Sequence, residues 1–168
     1  MSRRSEALAK RIEEGADNLA TFVETLSASE WYLPVSETDR RSIGVIVHHV
    51  ASMYPIEIDL ARAIASGKAV TDVTWGVVAQ INAKHAVEQS KITRAPALEL
   101  LWHSSREAAA AVRKFSDDEL DQAAPLSLND EAPLTTQFVI EDHALRHSWH
   151  HLALIRAAVS SVREQKAA

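Results

Sequence analysis

The sequence has no cysteine among its 168 residues. This excludes a disulfide framework, a thiolate zinc site and a cysteine nucleophile, and it fits a cytoplasmic protein. Glycine and proline are scarce, at four and five, which rules out collagen-like or linker-type low complexity. With 46% apolar residues the chain is also too hydrophobic for disorder. Uninterrupted apolar runs last only a few residues, whereas a membrane helix needs about 20. The opening Met1-Ser-Arg-Arg-Ser-Glu breaks its apolar positions with charge, so no secretion signal is expected. Acid exceeds base, 23 Asp and Glu against 18 Lys and Arg, and this leaves no basic stripe for nucleic-acid phosphates. Neither a nucleic acid nor a membrane is an expected partner. The chain does have eight histidines, the one abundant residue type able to carry chemistry.

The length suits a single domain over 1–168, with a core at about 5–163. Leu8, Ile12, Ala16, Leu19, Phe22 or Val23, and Leu26 recur every three or four residues, so a helix is expected over about 5–27. Trp31 and Pro34 fall in a loop. Ser42 is placed to cap a second helix through Ile46, Val50 and Met53 to about Ser66, kinked at Pro55 and stopped by Gly67. A shorter helix is expected around Val77–Gln89, and a third long one from Thr93 and Pro96 to Phe115. Ser116 and Glu119 read as a capping box, and a last long helix should run from about Thr136 to Val162. No strand pair with a turn signal is visible. The fold class is therefore all-α, a four-helix bundle with a short extra helix between the second and third long ones.

Helical geometry sorts the histidines. At 100° per residue, His49 lies about 75° from the apolar centre of the second helix, while His48 points almost directly away. On the last helix His151 falls about 60° from the core stripe and His147 about 100°, with His143 and His150 at about 140–160°. His147 and His151, at i and i+4, share one face and can grip one metal ion together. His49 is the inward histidine of another long helix, and a third imidazole would complete an open three-nitrogen site. A one-residue slip in register would make His48 the ligand instead. Glu57 and Glu141 lie near the core stripes and could orient a histidine N–H or accept a proton, although a capping or snorkelling role is the commoner one for such carboxylates. His85 and Asn82, three apart, could line the same cavity, with ordinary packing the simpler alternative.

Ser42-Ile-Gly-Val-Ile-Val-His-His49-Val-Ala, followed by His147-Ser-Trp-His-His151-Leu, resembles the DinB/YfiT-like family of metal-binding four-helix bundles. The Asn82-Ala-Lys-His85 and Ser116-Asp-Asp-Glu segments are similar to that family as well. The resemblance implies three histidine ligands, here His49, His147 and His151, around a divalent metal such as zinc or nickel. It also implies a thiol-dependent transferase or isomerase, with a low-molecular-weight thiol as co-substrate, or a hydrolase acting on a small molecule. An open three-histidine metal acts as a Lewis acid that makes water or a thiol acidic near neutral pH. With no cysteine in the chain, any sulfur nucleophile must arrive as a free small thiol. The alternative is a non-catalytic bundle, with or without metal, that serves as a binding or oligomeric scaffold. Trp149 and Leu154, off the main stripe, would then form the surface of a homodimer.

Overall fold

The computed structural model describes residues 2–167. Helix α1, Arg3–Glu24, starts where the Ser2 hydroxyl accepts from the N–H groups of Arg4 and Ser5. Leu8, Ile12, Leu19 and Val23 form its buried stripe. A single turn, α2 (Ala28–Trp31), replaces the expected loop because Ser27 and Glu30 make a capping box. Trp31 is then held inside, its Nε1 donating to the Ile92 carbonyl at 2.9 Å.

Helix α3, Ile43–Ala65, opens at Ser42 as the sequence suggests and runs through Pro55 as one element. Gly67, at φ 74°, closes it. The Gly67 and Lys68 N–H groups donate back to Ile64 and Ala63, so two otherwise orphaned carbonyls are satisfied. The short helix α4, Trp75–Glu88, buries none of its residues. Helix α5, Arg94–Val112, ends before Phe115, and α6, Asp117–Asp121, follows the Ser116–Glu119 capping box.

Two larger features also depart from the sequence reading. The first is a ribbon in which β1 (Ala123–Leu126) pairs antiparallel with β2 (Ala132–Thr135). Pro125 faces Pro133 across it; neither has an N–H to give, so the ladder stays short. Its turn places Asp130 and Glu131 at φ 55° and 58°, left-handed values for which hairpins usually recruit glycine. The Val70 N–H donates to Pro125 O at 2.9 Å and the Ser127 N–H to Val70 O at 2.8 Å, tying the ribbon to the chain after α3.

The second is the last helix, which consists of α7 (Thr136–Ile140), a π-helical turn (Glu141–Leu145) and α8 (Arg146–Ala167). The π turn takes up an extra residue, so side chains before it are rotated by about 100° from the phase that α8 would extrapolate.

The four long elements close into a ring: α1 packs on α5 and α8, and α3 packs on α5 and on the α7–α8 element. The consecutive long helices α1 and α3 thus take their main neighbours from later in the chain. A buried hydrogen bond between Tyr54 and Ser148 joins α3 to α8 inside this ring. Trp149 and Leu154 are 38% and 37% exposed. Part of the Trp149 ring is used within the chain: a Cβ on Gly15 would stand 2.8 Å from its Nε1, so α1 and α8 approach closely at that glycine.

Candidate metal centre

Ser42 sets the phase of α3, and from that start His49 is carried inward to 5% exposure. Two turns further along the same helix, Glu57 is 6% exposed. Across the bundle, the first turns of α8 supply His147 and the buried His151. One ring nitrogen from each of His49, His147 and His151 lies within 4.8 Å of the others. The Nε2 atoms of His49 and His147 are 3.2 Å apart. Two nitrogens bound tetrahedrally to one zinc at about 2.0–2.1 Å would be separated by about 3.3 Å. The spacing therefore fits a shared cation with little movement. A buried Nδ1 of His151 has no hydrogen-bond partner, so that ring is not committed to a protein acceptor through this atom.

Protonation favours the same use. Burial, then the neighbouring positive charge of His147 and Arg41, holds His49 down to about 3. Burial, His147 and His49 hold His151 down to about 2. Both rings are neutral at physiological pH and keep a lone pair for a cation. His147 is oriented by a carboxylate, its Nδ1 donating to Glu57 Oε1 at 2.6 Å. In the neutral ring this leaves Nε2 as the lone-pair nitrogen facing His49.

The other sequence candidates are placed as follows. His48 does not face open water: it is half-buried, with its Nδ1 2.8 Å from His85 Nε2. The physical reason is α4, which lays His85 over that side of α3. His85 also stands edge-on to His49, centroids 5.6 Å apart. Asn82 lines the cleft described below. Glu141 accepts from Gln137 Nε2 at 3.0 Å, within its own helix. His143, expected to point away from the core, lines the cleft, with a buried Nε2 that has no partner. The π turn brings it there, and burial lowers its pKa. His150, also expected outward, is exposed at the same rim.

A cleft of about 560 Å³ opens above the three rings. Its walls are largely apolar, from Met53, Ile56 and Leu60 of α3 to Val78 and Ile81 of α4. Trp75 closes one side, its Nε1 donating to the Leu128 carbonyl of the ribbon turn at 3.1 Å. Arg41, just ahead of α3, also reaches this wall. Sequence periodicity identified neither Arg41 nor His143, since one sits in a loop and the other in a π turn. The arrangement can hold a cation at the base of an apolar cleft large enough for a small organic molecule.

No curated protein matches the sequence. Among solved structures, the fold resembles YfiT from Bacillus subtilis, described as a probable metal-dependent hydrolase with an unusual four-helix bundle topology. The TM-score is 0.76 at 16% identity, covering 96% of this chain and 90% of that one. It also resembles a mycothiol-dependent maleylpyruvate isomerase, with a TM-score of 0.67 at 13% identity, covering 92% of this chain and 63% of that one. At those identities the likeness is one of fold. The sequence itself matches the DinB superfamily over residues 11–155, a span that holds most of the four-helix ring, Glu57 and all three clustered histidines, and the chain belongs to that superfamily.

Proposed function

We propose that the protein is a metal-dependent enzyme that uses one divalent cation, zinc or nickel, held by His49, His147 and His151. It would act on a small molecule by hydrolysis, or by thiol-dependent transfer or isomerisation. The observation that carries this reading is the convergence of three ring nitrogens within 4.8 Å of one another at the base of an apolar cleft. When bound, such a cation supplies Lewis acidity that lets water or a thiol lose its proton near neutral pH.

The chain's own residues do the rest. Glu57 holds His147 in one tautomer and orientation. His143 lines the cleft, and its buried Nε2 is free of any protein partner. The apolar side chains that α3 and α4 present to the cleft give the body of an apolar substrate a surface to pack against. Because the chain has no cysteine, a sulfur nucleophile would come from a free thiol, and the reducing cytoplasm is the compartment that supplies one. The two structural neighbours, one described as a probable metal-dependent hydrolase and the other a mycothiol-dependent isomerase, support both branches.

The test is turnover. Zinc- and nickel-loaded protein is offered small thiols paired with electrophiles, and separately esters and amides. Conversion that disappears on His147→Ala is expected in one of these sets. Absence of turnover in all of them, together with dimerisation that fails on Trp149→Ala, would favour the scaffold reading instead.

A further inference from the structure

Arg41 is held as a fork. Its Nε lies 2.9 and 3.1 Å from the two carboxylate oxygens of Asp39, and its Nη2 donates to Asp39 Oδ2 at 2.7 Å. Asp39 is itself fixed, since its Oδ1 accepts from the Arg41 N–H at 3.1 Å and its own N–H donates to Ser36 Oγ at 2.8 Å. The guanidinium is therefore positioned before any ligand arrives, with one edge satisfied. The remaining nitrogen, Nη1, is sealed from bulk water and has no partner, and Arg41 lines the same cleft as His49 and His151.

The other charges around that cleft already have partners. Glu57 is bound to His147, Asp59 to Arg62, and Arg146 to Asp142. An N–H pair on a fixed cation, dry and unmatched, is a site for an anionic oxygen. We infer that Arg41 is a specificity-determining residue that binds the carboxylate of a small apolar carboxylic acid, so that the substrate lies with its charged end on Arg41 and its apolar body against α3 and α4. Arg41 differs from a surface arginine in that Asp39 takes the Nε–Nη2 edge of the fork, so an incoming anion must be met by Nη1. This inference deepens the functional reading of the same cleft and rests on it, but it concerns the organic ligand and not the cation.

The experiment uses metal-free protein, so that a carboxylate cannot bind through the metal, and compares hexanoate with hexanamide by isothermal titration calorimetry. Wild type should bind hexanoate about tenfold more tightly than the amide, the scale of one charge-assisted contact. Arg41→Gln should bind the two equally, and Arg41→Lys should keep part of the preference. Because the protein is metal-free in every arm, the outcome does not depend on whether the three histidines hold a cation, which separates this inference from the fate of the metal site. Circular dichroism of Arg41→Gln checks that the fold is retained. If it is not, Arg41→Lys, which keeps the cation but not the planar fork, carries the test and should show a preference severalfold below that of wild type. Equal binding of the two probes by wild type, absence of binding, or an undiminished preference in folded Arg41→Gln overturns the inference.

Discussion

Replacing Glu57 by Gln separates its charge from its shape. Glu57 is 6% exposed; one oxygen accepts from His147 Nδ1 at 2.6 Å and the other has no partner. The amide keeps the volume and an acceptor for the same N–H, but a neutral bond is about half as strong as a charge-assisted one. Loss of such a partner behind a ligating histidine typically weakens metal binding about 10–100-fold, or about 1.4–2.7 kcal/mol. The metal-free protein should respond differently. A buried carboxylate with an unmatched oxygen costs more to desolvate than an amide, so Glu57→Gln without metal should be as stable as wild type or more so. Metal binding to the folded state adds stability in proportion to the logarithm of affinity. At about 2–4 °C per kcal/mol for a domain of this size, the rise in Tm on adding zinc should shrink by about 3–10 °C. Zinc titration against a competing chelator, with thermal melts in the presence and absence of zinc, measures both quantities. An unchanged zinc affinity would refute the assigned role. A loss as deep as that of His147→Ala would make Glu57 itself a ligand.

Two further outcomes follow from the same structure. His49 and His151 are held to about 3 and about 2 when folded and return to about 6.5 when unfolded. Between those values the unfolded chain binds more protons, so stability of the metal-free protein is complete above about pH 6.5 and is lost as the pH falls toward 3. The slope approaches about 1.4 kcal/mol per pH unit for each ring; urea midpoints from pH 7 to 4 should show it, and His49→Ala should flatten it. At Gly44 an added Cβ would stand 2.5, 2.6 and 2.9 Å from three atoms of the Trp31 ring, which is itself pinned to Ile92 and covered by Arg94. Gly44→Ala should therefore cost about 1–3 kcal/mol, read as a lower urea midpoint at unchanged m-value.

The long helices were legible because their signals are local. Ser42, Gly67 and the Ser116–Glu119 pair each act through one turn of backbone, and the apolar stripes of α1 and α3 repeat at the helical period. The direction of His49 followed from that period, and His147 and His151 fell on one face because α8 is regular over their span. His143 was misdirected because the π turn at Glu141–Leu145 breaks the phase, and nothing in those side chains announces an extra residue. His48 was expected in water because a single helix wheel has no knowledge of α4, which covers it with His85. The ribbon was missed for a similar reason. Its strands are four residues long, each carries a proline, and its left-handed turn residues are Asp130 and Glu131 rather than glycine. Arg41 has no periodic signature at all; its role depends on Asp39 and on a cleft that exists only once α3, α4 and the last helix are assembled.

Elemental analysis of untagged, purified protein after incubation with zinc or nickel and removal of the excess counts the cation that His49, His147 and His151 are proposed to hold. Wild type should retain about one equivalent of metal per chain, and His147→Ala/His151→Ala essentially none at unchanged helical content. Stoichiometric metal retained by that double variant, or none bound by wild type, would contradict that proposal.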